Sequence, residues 1–216
     1  TVNRHLAALS AVCKYAWKEL RWLPANPVLA VSKGAESAGA GRALSADELT
    51  ALLDACRASA DPNLYTFVLL ALTTASRYTP LRFLQWSAVD LTAKTIDFGI
   101  QKNKLRRIVP IVGPAEAALS TQLERDPTGS GWVFKGRGDD APADLEKSFR
   151  KVRTELGLVG EQNFRLHDLR HTAASYLAMN GASTAELMAA VGWLTPSMAM
   201  RYVHLYGAHT RATLES

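Results

Sequence analysis

Phe164-Arg165-Leu166-His167-Asp168-Leu169-Arg170-His171 opens a helical segment, and the rest of the chain is best read outward from it. His167, Arg170 and His171 stand at i, i+3 and i+4, so a helix that begins here stacks them on one face. A helix N-terminus carrying an arginine and two imidazoles is well suited to hold a phosphate. The two histidines also have the spacing of a two-histidine metal pair, although Asp168 stands where a zinc protease carries a glutamate.

The elements that follow are short. Asn180-Gly181 stops the His167 helix. Ser183 caps a helix that ends near Gly192, and Thr195-Pro196 caps another that carries Met198, Tyr202 and Leu205. On the N-terminal side, Pro142 to Leu156 is helical and bears Lys147, Arg150, Lys151 and Arg153, a basic face that is either solvated or laid along a polyanion. Trp132-Val133-Phe134 reads as a short strand and Pro114 to Arg125 as a helix. Thr95 to Ile100 and Arg106 to Ile111 read as two strands, with Lys102-Asn103-Lys104 at their turn.

Further upstream, Thr79-Pro80 opens a short helix towards Trp86. Asp61-Pro62 starts a helix through the apolar run Leu64 to Leu72 that stops near Ser76. Ser45-Ala46-Asp47-Glu48 is a capping box for a helix reaching about Arg57. Pro24 to Ala43 is rich in Pro, Gly, Ala and Ser, lacks periodicity, and reads as a linker. Residues 1 to 23 put Val2, Leu6, Leu9, Cys13, Ala16, Trp17 and Leu20 at helical spacing, with Arg4, Lys14, Lys18 and Arg21 between them. The fold class is therefore mainly α with a small antiparallel β-sheet.

The 216 residues leave room for one full catalytic domain and a fragment of another. The hydrophobic share of 48% and charged share of 21% are those of a globular protein. A net charge of +5 favours a polyanionic partner without specifying one. Cys13 and Cys56 lie far apart in apolar helical patterns and read as buried thiols of a reducing compartment. No apolar run reaches membrane-spanning length, and no secretory signal is present. The chain starts at Thr1 directly in a helical pattern, which suggests a fragment whose natural N-terminal portion is missing.

Singly, the candidate residues are ordinary: Arg77 follows a helix end, Lys102 and Lys104 sit in a hairpin turn, and Trp193 and Tyr202 suit a core. Together they resemble the catalytic domain of the tyrosine recombinases, the phage-integrase family. Thr73-Thr74-Ala75-Ser76-Arg77 with Leu84-Gln85-Trp86-Ser87-Ala88-Val89-Asp90 is similar to that family's first arginine box. Lys102 with Arg106-Arg107-Ile108-Val109-Pro110-Ile111 is similar to its lysine hairpin, and His167-Asp168-Leu169-Arg170-His171 to its His-x-x-Arg-His box. Val191-Gly192-Trp193 stands where the family usually has Leu-Gly-His, and Tyr202 lies at the nucleophile spacing beyond it. The likeness covers about residues 44 to 206. It departs at Ala75, where glycine is usual, and at Pro80, where a glutamate commonly braces the active-site arginines.

The resemblance implies residues 1–33 as the C-terminal part of a helical core DNA-binding domain, 34–43 as a linker and 44–216 as the catalytic domain. It implies a site-specific recombinase or integrase that breaks and rejoins double-stranded DNA through a 3′-phosphotyrosine on Tyr202, as a homotetramer, without cofactor or metal. Its place would be the cytoplasm, nucleoid-associated, in a bacterial or phage-derived setting. Arg77 and Arg170 would grip the phosphate oxygens, each as a two-pronged donor. His167 is the candidate base, because an imidazole titrates nearest neutrality, and Tyr202 needs help with an ordinary pKa of about 10. Lys102 would protonate the leaving 5′-oxygen, with Lys104 its rival, while His171 and Trp193 support the phosphate. Two other readings are a DNA-binding relative that has lost cleavage through Pro80, and a zinc hydrolase using His167 and His171.

Overall fold

The computed structural model describes residues 2–32, 34, 42–101, 104–136, 138, 141–160 and 163–203. The chain divides into two units, Thr1–Ala40 and Gly41–Ser216. In the first, helix α1 (Val2–Lys18) has no buried residue, and Val2, Val12 and Trp22 are among its unit's exposed apolar side chains. The stretch read as a linker contains a 3-10 turn, Pro27–Ala30. Asn26 makes that turn: its amide donates to the Ser10 carbonyl (3.0 Å) and hydroxyl (2.9 Å), and its oxygen accepts from the Val28 amide. Pro27 then supplies a preset φ at the first position of the turn.

In the second unit the order is α2 (Ala46–Arg57), α3 (Leu64–Thr74), α4 (Tyr78–Arg82), β1 (Val89–Asp90), β2 (Thr95–Ile100), β3 (Arg106–Pro110), α5 (Pro114–Arg125), α6 (Glu146–Glu155), α7 (Leu166–Met179) and α8 (Thr184–Val191). A ninth helix, α9, covers 196–203. The fold is mostly helical with one small antiparallel sheet, ordered β1-β2-β3. The capping boxes at Ser45–Glu48 and Ser183–Glu186 both form, which fixes the starts of α2 and α8.

α3 is apolar on nearly every side because it is the central element: Leu64, Phe67, Val68, Leu70 and Ala71 are all buried. Phe67 sits edge-on to Tyr78 and to Phe134, with centroids 5.6 and 5.2 Å apart. Leu52 of α2, Leu119 of α5, Phe149 of α6, Leu169 of α7 and Ile96 of β2 complete the main core. A smaller cluster joins α7, α8 and α9 through Ala173, Ala174, Ala178, Leu187, Val191, Ala199 and Tyr202. Small alanines make up most of this cluster, in which Tyr202 is the one buried aromatic among the described residues.

Four local readings change. Trp132-Val133-Phe134 is not a strand; it makes one bridge, Gln85 to Trp132, and Val133 donates to the Leu84 carbonyl. The α6 helix starts at Glu146, after Pro142 and Ala143 are used in bridging Lys135 and Phe134. Val89–Asp90 is a strand paired with Thr95 and Ile96, too short to carry an alternation signal. α4 begins at Tyr78, so Arg77 itself is the residue before its first turn. At the β2–β3 turn, Lys104 takes φ +62° and donates to the Gln101 carbonyl, whereas Lys102 and Asn103 lie outside the described residues.

Candidate active site

The turn between α3 and α4 is made by Ala75, which ends α3 in the left-handed region (φ +49°). This turns the chain so that its carbonyl meets Arg170 of α7, and Arg77, in extended conformation, stands exposed before α4. Arg170, on the second turn of α7, is only 4% exposed. Its Nη1 donates to the Ala75 carbonyl at 2.6 Å, and its Nη2 is buried with no partner among the described residues. The guanidinium lies 5.8 Å from the ring of Trp193.

Arg77 and Arg170, far apart in sequence, line one cleft of about 220 Å³ together with Arg107, Pro80, Gly192 and Trp193. Arg107 is a residue the sequence reading did not single out. The signal was strand alternation: on β3, Arg106 and Ile108 are exposed while Arg107 and Val109 turn inward. Among the described residues no carboxylate lines this cleft, so the cations are felt mutually. Burial first, and then the Arg77 charge, pushes Arg107 down to about 10 and Arg170 down to about 9. Such a space favours an anion.

Pro80 offers no charge to the arginines it borders. Arg82 is spent on the Ala143 and Pro142 carbonyls, and Asp90 accepts from the amides of Thr92 and Ala93, so neither stands in for a brace.

Tyr202 is 8% exposed and stacks on Trp193, centroids 5.2 Å apart. Its hydroxyl is hydrogen-bonded to Nδ1 of His171, not to His167. His167 lies edge-on to His171 at 5.2 Å, at the more exposed end of the pair. Both imidazoles are held below their ordinary pKa: desolvation is the first cause for each, followed by Arg170 for His167 and by His167 for His171. Burial raises the Tyr202 phenol, against the opposing pull of Arg170 and Arg201. Thus the chain brings Arg77, Arg170 and Trp193 to one cleft and His167, His171, Trp193 and Tyr202 to one aromatic stack, with Trp193 common to both.

Asp168 does not join the histidines as a metal ligand. Its Oδ2 accepts from the Arg165 backbone amide at 2.7 Å, closing the start of α7. Among the described residues, no three His, Cys, Asp or Glu side chains stand together as a metal site.

A mainly helical domain with a three-stranded sheet thus brings two distant arginines to one cleft, beside a buried tyrosine stacked on the tryptophan that borders it. The chain belongs to the phage integrase family, whose model matches residues 42–209. It is 28% identical over 221 residues to the integrase of Salmonella phage P22, covering 97% of this chain and 55% of that protein. It is 30% identical over 215 residues to the integrase of Haemophilus phage HP1, covering 100% of this chain and 59% of that protein. The solved catalytic domain of bacteriophage HP1 integrase superposes with a TM-score of 0.60 at 25% identity, over 80% of this chain and 93% of that one. The chain thus spans a little more than half the length of these two relatives.

Proposed function

We propose that this chain is the strand-exchanging part of a site-specific DNA recombinase, cutting and rejoining double-stranded DNA through Tyr202. The observation that carries the reading is the convergence of Arg77 and Arg170 on one cleft bordered by Trp193, on whose ring the Tyr202 phenol is stacked. In the proposed reaction the Tyr202 oxygen attacks a DNA phosphorus, the bond to the 5′-oxygen breaks, and a 3′-phosphotyrosine remains. Two guanidinium groups donate to the non-bridging oxygens as charge builds there, which is usually the largest share of such catalysis. Nη2 of Arg170, without a partner among the described residues, is one donor for this, and the exposed Arg77 supplies the other.

The phenol proton goes to an imidazole. His167 was the expected base; in the present arrangement His171 is the nearer acceptor, since its Nδ1 already meets the hydroxyl. Its lowered pKa keeps it neutral, as an acceptor must be. Lys102 is the proposed acid for the 5′-oxygen, with Lys104 as the alternative. Residues 1–33 are proposed as the tail of a DNA-binding helical domain, 34–43 as its linker and 44–216 as the catalytic domain, a division supported by the break after Ala40. Assembly as a tetramer on DNA, and work in the cytoplasm at the nucleoid, complete the proposal.

The test is a nicked duplex bearing the recombination site, which traps the covalent complex. Wild type is expected to form it, and Tyr202→Phe to lose it while binding the duplex within about threefold of wild type. A covalent complex in Tyr202→Phe would remove Tyr202 as nucleophile. Binding by wild type with no covalent product would instead favour a relative that has lost cleavage, for which Pro80 is the specific reason. Sedimentation with and without the duplex addresses the tetramer; a monomer in both counts against it.

A further inference from the structure

Arg107 makes more contacts across the fold than either arginine of the expected constellation. Its Nη1 donates to the Ser76 hydroxyl (2.8 Å), and its Nη2 donates to the carbonyls of Thr74 (2.5 Å) and Ala190 (2.8 Å). Its guanidinium lies 5.4 Å from the ring of Phe98 on the neighbouring strand. Thr74 and Ser76 flank Ala75, whose carbonyl holds Arg170, and Ser76 immediately precedes Arg77. Ala190 lies at the end of α8, just before Gly192 and Trp193. Gly192 is packed so closely on this side chain that a Cβ there would stand 3.2 Å from the Arg107 Nε.

We propose that Arg107 is a positioning residue that ties the turn presenting Arg77 to the turn presenting Trp193, holding both walls of the cleft at one spacing. The planar fork is suited to this because it reaches acceptors on two separate chain ends at fixed angles, which a lysine point charge cannot do. Two of its acceptors are carbonyls at the C-terminal ends of α3 and α8, where the helix partial charge is negative. The fork therefore places one positive charge against the C-terminal carbonyls of two helices at once. Arg107 acts through Arg77 and Trp193. The consequence for chemistry rests on the phosphodiester reading above; the tether itself does not.

Two measurements on the 216-residue chain test it. In hydrogen exchange, Arg107→Lys and Arg107→Gln are each expected to speed exchange in segments 74–77 and 189–193 together, by about tenfold or more, the effect of losing charge-assisted hydrogen bonds. Exchange in α5 stays unchanged. If either segment keeps its protection, or if α5 loosens equally, the tether is wrong. In calorimetry with inorganic phosphate, half-saturation is expected to rise about tenfold in Arg107→Lys as well as in Arg107→Gln. Wild-type affinity in Arg107→Lys would mean that only the charge matters, and would overturn the positioning role. If wild type takes up no phosphate while both segments loosen as stated, the tether stands and the phosphate reading of the cleft falls.

Discussion

The Tyr202 hydroxyl meets an imidazole whose pKa burial holds below its ordinary value, and this has a pH signature. His171 and His167 both have folded pKa values below the ordinary value of about 6.5. The unfolded chain therefore binds more protons than the native chain just below that pH. The stability involved is complete above about 6.5 and drains away as pH falls through 6.5 towards the lowered values. Glu48, which Arg42 holds down at about 2, loses its pairing only in much stronger acid. Melting temperature is thus expected to fall between pH 7 and pH 5, and His171→Gln to flatten that fall; an unchanged slope in the variant would exclude His171 as a source. Arg170 supplies the opposite case, a buried cation that, among the described residues, has an unpartnered nitrogen and no carboxylate in its cleft. Pro80→Glu would put an acid beside it, in the first turn of α4 where a negative charge is also favoured. Charge-assisted bonds are worth about 1.5–3 kcal/mol, against roughly 0.4–1 kcal/mol for the freedom that losing proline returns to the unfolded chain. A net gain of about 1 kcal/mol in denaturant unfolding is expected from those two magnitudes. No gain would mean the arginines are not short of a counter-charge.

Helix ends, more than helix bodies, place this site. α3 ends at Ala75, α4 begins after Arg77, α7 begins at Asp168's cap, and α8 ends at Gly192. Gly192 takes φ +76° and faces Arg107 at close range, so Gly192→Ala meets two costs at once. The left-handed backbone costs about 1 kcal/mol for alanine, and relieving the contact must shift a side chain that holds two turns. A loss of roughly 1–3 kcal/mol is expected by denaturant unfolding, and a loss under about 0.5 would show that the α8 end gives way freely. These ends also mark what the sequence could tell. Ser45 and Ser183 announced α2 and α8 because a capping box is a local device, read from four consecutive residues. The order of Arg77, His167, Arg170, Trp193 and Tyr202 was legible because each sits in a short local motif. Arg107 was not, because its partners at Thr74, Ser76 and Ala190 are brought to it only by the tertiary fold. The same holds for His171 meeting Tyr202, and for Trp132, whose β-rich sequence is used in a single bridge.

At the scale of the molecule, the core belongs to one of the two units. Every residue of both core clusters lies between Leu44 and Tyr202, while α1 buries nothing and its unit leaves Trp22 and Leu29 more than 70% exposed. Phe67, Phe134, Phe164 and the leucines clustered with them are fully buried, and all of them belong to the Gly41–Ser216 unit. Each such side chain contributes about 1.5–3 kcal/mol of burial, so losing even one would be felt. A chain cut to residues 41–216 loses none of them. In a domain of this size 1 kcal/mol shifts the melting temperature by about 2–4 °C. The shortened chain is accordingly expected to melt within about 3 °C of the full one, measured by circular dichroism at equal concentration and salt. A fall of more than about 5 °C, or a broadened transition, would show that the 41–216 unit does not hold its own core.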